Sequence, residues 1–370
     1  MSLILGIETS CDETAASVVQ DGRYVHSNII ASQHDLHERY QGVVPEIASR
    51  AHLQRILPVV QEAIQEANVA FSDLDAIAVG NRPGLIGSLM VGLSAAKALA
   101  WSTGKPLIGI DHVRAHLYAA NLTEAPRNDR DGHSSEPHPP APPEPTYPAL
   151  GLVVSGGHST IYTVASPMEL EPLGQTIDDA VGEAYDKAAV ILQLGYPGGP
   201  RIDKLAQQGD PTAYRLPRSL LGEDSLDFSF SGLKTALLYA VRGHPQGRGP
   251  DAVFPRSADD LTDTQRADLA ASFQAAAIDT LMIKLSRAVE AMRRQSRSPH
   301  SLIIGGGVSA NSLLRRRVTE FGERMGLSVH IPAMAYCLDN AAMIAGLAHH
   351  YFIMGRFDDL TLPAIATTGR

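Results

Sequence analysis

Two stretches of this chain share one shape. Leu3–Val19, LILGIETSCDETAASVV, runs from an apolar strand through a small polar turn into a second strand. Ala149–Val164, ALGLVVSGGHSTIYTV, repeats that order around a Ser-Gly-Gly turn. Each predicts a β-hairpin whose tight turn exposes backbone N–H groups and small hydroxyls. A third apolar run, Ser301–Asn311 (SLIIGGGVSAN), passes a glycine turn and leads directly into a helical pattern. Glycine there lets the backbone approach a ligand, and the helix N-terminus favours an anion. A repeated hairpin followed by strand, turn and helix points to an α/β protein with two related halves.

The remaining pattern alternates strands with helices. Strands are expected at Asp75–Val79 and Leu107–Ile110, with a helix at about Leu85–Thr103 between them and the HVRAH helix after them. Later helices are expected at Asp178–Leu192, Ser231–Val241, Thr262–Ser296, Ser309–Met325 and Asp339–Met354. The chain, 370 residues long, can build two lobes with separate cores. Residues 1–123 form the first, with 335–370 packing back on it, and 149–334 form the second. Between them, Glu124–Pro148 carries 8 of the 24 prolines and reads as a linker or surface excursion. Gly243–Asp260 is a second polar stretch of that kind.

Composition excludes several classes. The N-terminus, MSLILGIETSCDE, lacks the basic region of a signal peptide. The most apolar long stretch, Leu85–Trp101, holds Lys97 and several glycines, and reads as a buried helix rather than a membrane span. Two cysteines, Cys11 and Cys337, make no disulfide framework, so a reducing cytoplasm is the expected compartment. The net charge of −9 does not advertise nucleic-acid binding. Arginine clusters at 293, 294 and 297 and at 315–317 read first as solvated helix faces. Any nucleic acid would need these patches or a partner protein to supply a positive field.

The chemistry concentrates in a few motifs. HVRAH, His112–His116, puts two histidines on one helix face, and Asp339 in CLDNAA could complete a three-ligand metal site. A zinc peptidase needs HExxH, whose glutamate activates water; Val113 stands in that place, so peptide hydrolysis is disfavoured. Two imidazoles and a carboxylate suit iron(II), zinc or manganese. Asp12, in SCDET, could hold a cation, orient a water, act as general base, or simply form the turn. Asp179, Glu183 and Asp186 fall four and three apart, on one expected helix face, which is unfavourable without a polar ligand or cation nearby. YPGGPRID, Tyr196–Asp203, offers another glycine turn and a carboxylate suited to sugar hydroxyls.

Two hairpin turns and a Gly-rich strand-to-helix turn, in that order, resemble the actin-like, sugar-kinase and Hsp70-type ATPase superfamily. That resemblance implies two related lobes with a nucleotide cleft between them. Phosphate would be cradled by N–H donors of Ser155–Gly157 and Gly305–Gly307, without a lysine.

At the level of whole motifs, IETSCDET, GVVPEIASRAH, PGLIGSLMVGLSAAKALA, DHVRAH, LVVSGGHST, TIDDAVGEAYDKAA, YPGGPRID, FSFSGLKTA, IIGGGVSAN and CLDNAAMIA occur in one order. The series resembles the tRNA N6-adenosine threonylcarbamoyltransferase family, formerly labelled O-sialoglycoprotein endopeptidases. The resemblance implies transfer of threonylcarbamoyl from threonylcarbamoyl-adenylate to N6 of adenosine 37 in tRNAs reading codons that begin with A, with release of AMP. It implies that His112, His116 and Asp339 hold a metal, usually iron(II), with zinc as the alternative. Val153, Val154, Ser155, Gly156, Gly157, Asp186, Gly199, Asp203 and Asn311 would bind the adenylate, and Asp12 would be a general base or orienting acid. Partners would be tRNA, an inactive paralogue of the same fold and a small P-loop ATPase, with no membrane involved. This chain departs from the family pattern in having Asp111 before the first histidine, Leu338 in CLDN, and NRPG at Asn81–Gly84.

Two other classes compete. A small-metabolite kinase of this fold would rely on Mg²⁺ held through carboxylates and water, which the two histidines argue against. A non-catalytic scaffold of the same fold would need no metal ligands at all.

Overall fold

The computed structural model describes residues 1–40, 42–126, 141–247 and 253–367, and most of the Pro-rich Glu124–Pro148 stretch lies outside them. The chain divides into two compact units. Unit 1 takes 1–144, 166–169 and 330–370, and unit 2 takes 145–165 and 170–329.

Unit 1 is built on a six-stranded sheet of order β5-β4-β1-β2-β3-β6. Its strands are β1 (Leu3–Glu8), β2 (Glu13–Gln20), β3 (Tyr24–Ser32), β4 (Ala76–Arg82), β5 (Leu107–Asp111) and β6 (Thr123–Glu124). The first hairpin pairs β1 with β2 antiparallel, from Leu3 opposite Gln20 to Glu8 opposite Ala15. β4 joins the other edge of β1 in parallel. Side chains alternate across the pleat, and so the sheet serves two cores. Ile4, Ala76, Ala78 and Ile108 enter one core with Met343, Ile344 and Leu347. Leu5, Ile7, Ile77 and Val79 enter the other with Ile56, Val60, Leu93 and Ala96. The helices of this unit are α1 (His34–His37), α2 (Pro45–Glu66), α3 (Ile86–Thr103), α4 (His112–Tyr118) and α10 (Ala341–Ile353).

Helix α10 lies unusually near the sheet because both surfaces are small. A Cβ on Gly6 would run into the Ala341 carbonyl oxygen, and would lie 2.9 Å from the Ala345 nitrogen. Glycine on the strand and alanine on the helix permit this approach. Asn340 caps the helix, its side chain accepting from the Met343 N–H at 3.0 Å.

Unit 2 repeats the plan with a five-stranded sheet of order β11-β10-β7-β8-β9. Its strands are β7 (Ala149–Val154), β8 (Ser159–Ser166), β9 (Glu169–Gln175), β10 (Ser301–Gly305) and β11 (Ser328–His330). The second hairpin is the antiparallel β7–β8 pair, and β10 lies parallel to β7. Its helices are α5 (Val181–Ile191), α6 (Gly198–Ala206), α7 (Ser231–Arg242), α8 (Asp263–Arg294) and α9 (Ser312–Met325). The long α8 begins in a capping box, with the Thr262 hydroxyl accepting from the Gln265 N–H.

Several expected boundaries move, each for a local reason. The helix expected from Asp178 starts at Val181, because Asp178 turns back to bind the Ser229–Ser231 backbone and hydroxyls. The expected Ser309–Met325 helix splits into a 3-10 turn, Gly307–Ala310, and α9, which Asn311 caps. Tyr196–Asp203 is not an extended glycine turn: Gly198 and Gly199 open α6, with Asp203 on its second turn. Asp339 precedes α10 instead of beginning it. Helix α3 buries only one face, since Ile86, Met90 and Trp101 are exposed. Within Gly243–Asp260, Gln246 and Val253 exchange two backbone hydrogen bonds, and residues 248–252 lie outside the described set. Among the described residues, no helix is long and apolar enough to cross a membrane.

Gly6→Ala should force α10 off β1. Overpacking of this kind costs about 1–3 kcal/mol. A lowered Tm is expected by calorimetry, with weaker divalent-metal binding because Asp339 sits just ahead of the displaced helix.

Candidate metal centre and donor site

The first centre lies wholly within unit 1. Asp111 ends β5 and caps α4, its carboxylate accepting from Val113 N–H at 3.0 Å and Arg114 N–H at 3.1 Å. The cap fixes where the helix starts and therefore where His112 and His116 point. The His116 Nε2 lies 3.2 Å from Asp339 Oδ1, and the His112 Nε2 lies 3.6 Å from the same oxygen. One donor atom from each of the three residues falls within 4.8 Å of the others.

Glu8, at the end of β1, backs the cluster. Its Oε2 is 3.0 Å from His112 Nδ1, with the Ser10 hydroxyl at 3.2 Å from the same nitrogen. A carboxylate behind a ligating imidazole fixes the tautomer that leaves Nε2 free for a metal. Gly80 makes the room, since a Cβ there would sit 2.5 Å from Glu8 Oε2. The His116 Nδ1 is buried without a hydrogen bond, and Nε2 is buried with only the Asp339 carboxylate, at 3.2 Å, facing it. A buried imidazole left that way is costly unless an ion or ligand completes it. The donor set and its support thus fit a divalent metal.

Charge in this centre is uneven. Burial disfavours a charged His112, but Glu8 and Asp339 overcome it and push the imidazole up to about 10. Burial and the neighbouring His112 charge instead lower His116. Beside them, Asp12 closes the turn between β1 and β2, Glu13 begins β2, and His34 opens α1. Burial raises the Glu13 carboxyl to about 8 against the opposing hydrogen bond from His34. Burial, then the adjoining Asp12, raises the Cys11 thiol.

The second centre belongs to unit 2. Val153 and Val154 end β7, and Ser155–Gly157 form the hairpin turn. The Ser155 hydroxyl accepts from the His158 N–H at 3.1 Å, which holds the turn closed. A Cβ at Gly156 or Gly157 would meet nothing within 4 Å, so the turn faces open space. Gly306, at φ 90°, sits against the Val154 backbone, where only glycine fits. Asp186, on α5, accepts from the Gly198 N–H at 2.8 Å, so it orients the start of α6, where Gly199 follows. Asp203 accepts from Gln274 Nε2 at 3.1 Å, Asn311 Nδ2 at 3.2 Å, the Ser312 hydroxyl at 2.8 Å and the Ser312 N–H at 3.1 Å. Asn311 also donates to Gln274 Oε1 at 2.8 Å.

The structure therefore brings His112, His116 and Asp339 together, and separately Asp203 and Asn311. It does not crowd Asp179, Glu183 and Asp186 on one helix face. Asp179 precedes α5, and Lys187 bridges it to Glu183 at 2.6 and 2.8 Å. Lys234 adds a second cation on Asp179 at 2.9 Å. The polar ligand or cation that the spacing called for is here supplied by lysine side chains. The arginine clusters behave as expected of solvated helix faces, with Arg316 beside Glu320, while Arg317 pairs with Asp279.

Glu8, Glu13, His34 and Gln274 were not singled out by sequence. A carboxylate closing the apolar strand LILGIE signals Glu8, and a glutamine inside the apolar run of α8 signals Gln274. His34 carries no comparable sign.

These units define an α/β protein built twice on one strand order, each sheet flanked by helices. In support of the fold alone, the chain superposes on the solved structure titled T. kodakarensis HypF with a TM-score of 0.57 at 16% identity, covering 98% of this chain and 49% of that one. Residues 24–346 match the family model TsaD, tRNA N6-adenosine threonylcarbamoyltransferase. A protein of that name from Symbiobacterium thermophilum is 48% identical over 367 residues, 99% of this chain and 96% of that protein. Another, from Anaeromyxobacter dehalogenans, is 46% identical, covering 96% of each. The chain belongs to the tRNA N6-adenosine threonylcarbamoyltransferase family, and is a transferase of tRNA modification.

Two measurements test the metal centre. Glu8→Gln should weaken divalent-metal binding by about 10–100-fold while leaving the fold intact, as read by dialysis against a chelator series. His112 titrates near 10, so below that pH an incoming metal must displace its proton. Apparent metal affinity should therefore rise with pH up to about 10. Calorimetry at pH 8 in buffers of different ionisation enthalpy should record the release of about one proton per metal bound.

Proposed function

We propose that the chain transfers the threonylcarbamoyl group of threonylcarbamoyl-adenylate to N6 of adenosine 37 in tRNAs reading codons that begin with A, releasing AMP. The family match carries this reading, and the chemistry of the residues agrees with it. An acyl-adenylate is a mixed anhydride with a good leaving group, so no covalent enzyme intermediate is needed. Catalysis rests on binding the donor, polarising its carbonyl and positioning a weakly nucleophilic amine. Peptide hydrolysis lacks support: Val113 is buried and apolar where a zincin carries its glutamate.

In this reading Val153, Val154, Ser155, Gly156 and Gly157 receive the adenylate's phosphate against strand end and open turn. Asp186, Gly199, Asp203 and Asn311 take its nucleoside, with Gln274 holding the last two in register. His112, His116 and Asp339 hold the metal, iron(II) by family resemblance and zinc as the alternative. When bound, such an ion supplies Lewis-acid polarisation of a carbonyl or phosphoryl oxygen. Asp12 acts on the attacking amine as general base or orienting acid; its Oδ2 is buried without a hydrogen-bond partner. The setting is the cytoplasm, and an inactive paralogue of the same fold and a small P-loop ATPase are the companions. With a net charge of −9, the chain relies on partners or local arginines for much of the field that draws tRNA.

The test incubates the chain and those companions with threonylcarbamoyl-adenylate and unmodified tRNA, followed by nucleoside mass spectrometry. The modified nucleoside is expected, and its absence with donor intact would refute the reading. His116→Ala and Asp339→Ala should each reduce turnover at least about 100-fold, the scale of losing one key electrostatic group. Full activity in either would sink the metal assignment.

A further inference from the structure

A second cluster of ligating groups adjoins the first in unit 1. His34 Nε2 is 3.3 Å from Glu13 Oε1 and 3.9 Å from Asp12 Oδ2. One donor atom from each of the three lies within 4.8 Å of the others. Donors roughly 2.1 Å from a shared octahedral ion lie about 3.0–4.2 Å apart, and both His34 distances fall in that range. Asp12 is 6% exposed, and its Oδ2, the atom turned toward His34, has no hydrogen-bond partner. Nearby His37 is fully buried, feels the Asp12 charge, and likewise has an Nε2 without a hydrogen bond. A buried carboxylate oxygen with only a 3.9 Å ion-pair contact to His34 is under-satisfied, and a cation would complete it.

We propose that Asp12, Glu13 and His34 form a second divalent-cation site, distinct from the His112, His116 and Asp339 triad. Two carboxylates and one imidazole make it the harder set, suited to Mn²⁺ or Mg²⁺ more than the histidine-rich triad is. Three protein ligands leave positions for water or an oxygen of a bound anion. The site refines the reading of Asp12 given above, since a carboxylate that holds a cation orients the reacting groups and does not serve as a free base. It does not depend on the identity of the substrate, because ion counts and transfer activity are read separately.

The experiment strips the full chain of metal, loads the triad with one equivalent of Zn²⁺, and titrates Mn²⁺ with free ion read by electron paramagnetic resonance. One bound Mn²⁺ beyond the zinc is expected, and its loss in both His34→Ala and Glu13→Gln, with zinc retained. No bound Mn²⁺ in the unsubstituted chain, or one still bound in both variants, would overturn the site. If circular dichroism shows either variant unfolded, the zinc-loaded parent chain decides. Mn²⁺ should then broaden the His34 imidazole resonances, and resonances that stay sharp reject the proposal.

Discussion

Everything in the first centre depends on how near α10 comes to β1. Gly6 gives the strand a bare backbone, and Ala341 and Ala345 give the helix a thin face. With larger side chains, the helix would stand off and Asp339 would move with it. The same strand ends two residues later in Glu8, which grips His112 from behind. One strand thus sets both the third ligand and the orientation of the first. This explains why a short apolar run, LILGIE, carries a glycine in its middle and a carboxylate at its end. Packing and ligand geometry are here a single constraint.

The electrostatics follow from that packing. Glu8, Asp12 and Glu13 are all buried, and Asp339 is close enough to act on Glu13 and Cys11. Buried carboxylates this close cannot all keep their charge without cations. The protein supplies part of the answer in His112, whose imidazole is held charged by Glu8 and Asp339 in the metal-free chain. Glu13 takes the other route and retains its proton toward neutral pH. Such a centre is poised to exchange protons for metal. The arrangement costs folding stability without a ligand and returns it when one binds.

The fold was legible where hydrophobic period and turn chemistry agreed. The paired hairpins, the β10 strand and the α3 and α8 helices stand where periodicity puts them, because apolar alternation reports burial directly. The histidine pair was legible too, since four-residue spacing on a helix is a local property, while Asp339 joined it only through the resemblance of its motif. What failed was mostly long-range. Lys187, at i+4 from Glu183, stood in the same motif and was overlooked, whereas nothing near Asp179 signals Lys234, fifty-five residues away. Asp178 looked like a helix start, yet its carboxylate serves a loop fifty residues away. Glu8 is marked only as a carboxylate closing an apolar strand, and His34 gains meaning solely from its folded neighbours.

Unit 2 solves a different problem, that of presenting polar groups without letting them collapse on one another. Asp203 is saturated by Gln274, Asn311 and Ser312, and Asn311 spends its carbonyl on capping α9 through the Leu314 N–H. The network is costly to build in a buried setting, and pays only if each member is held. Its result is rigidity: the carboxylate is held by several donors at once, and the first N–H groups of α9 are tied to Asp203 and Asn311. The glycine turn at Ser155–Gly157 complements this by leaving space where the network leaves none. Rigid polar walls and an open glycine turn are what one strand order, used twice, makes available.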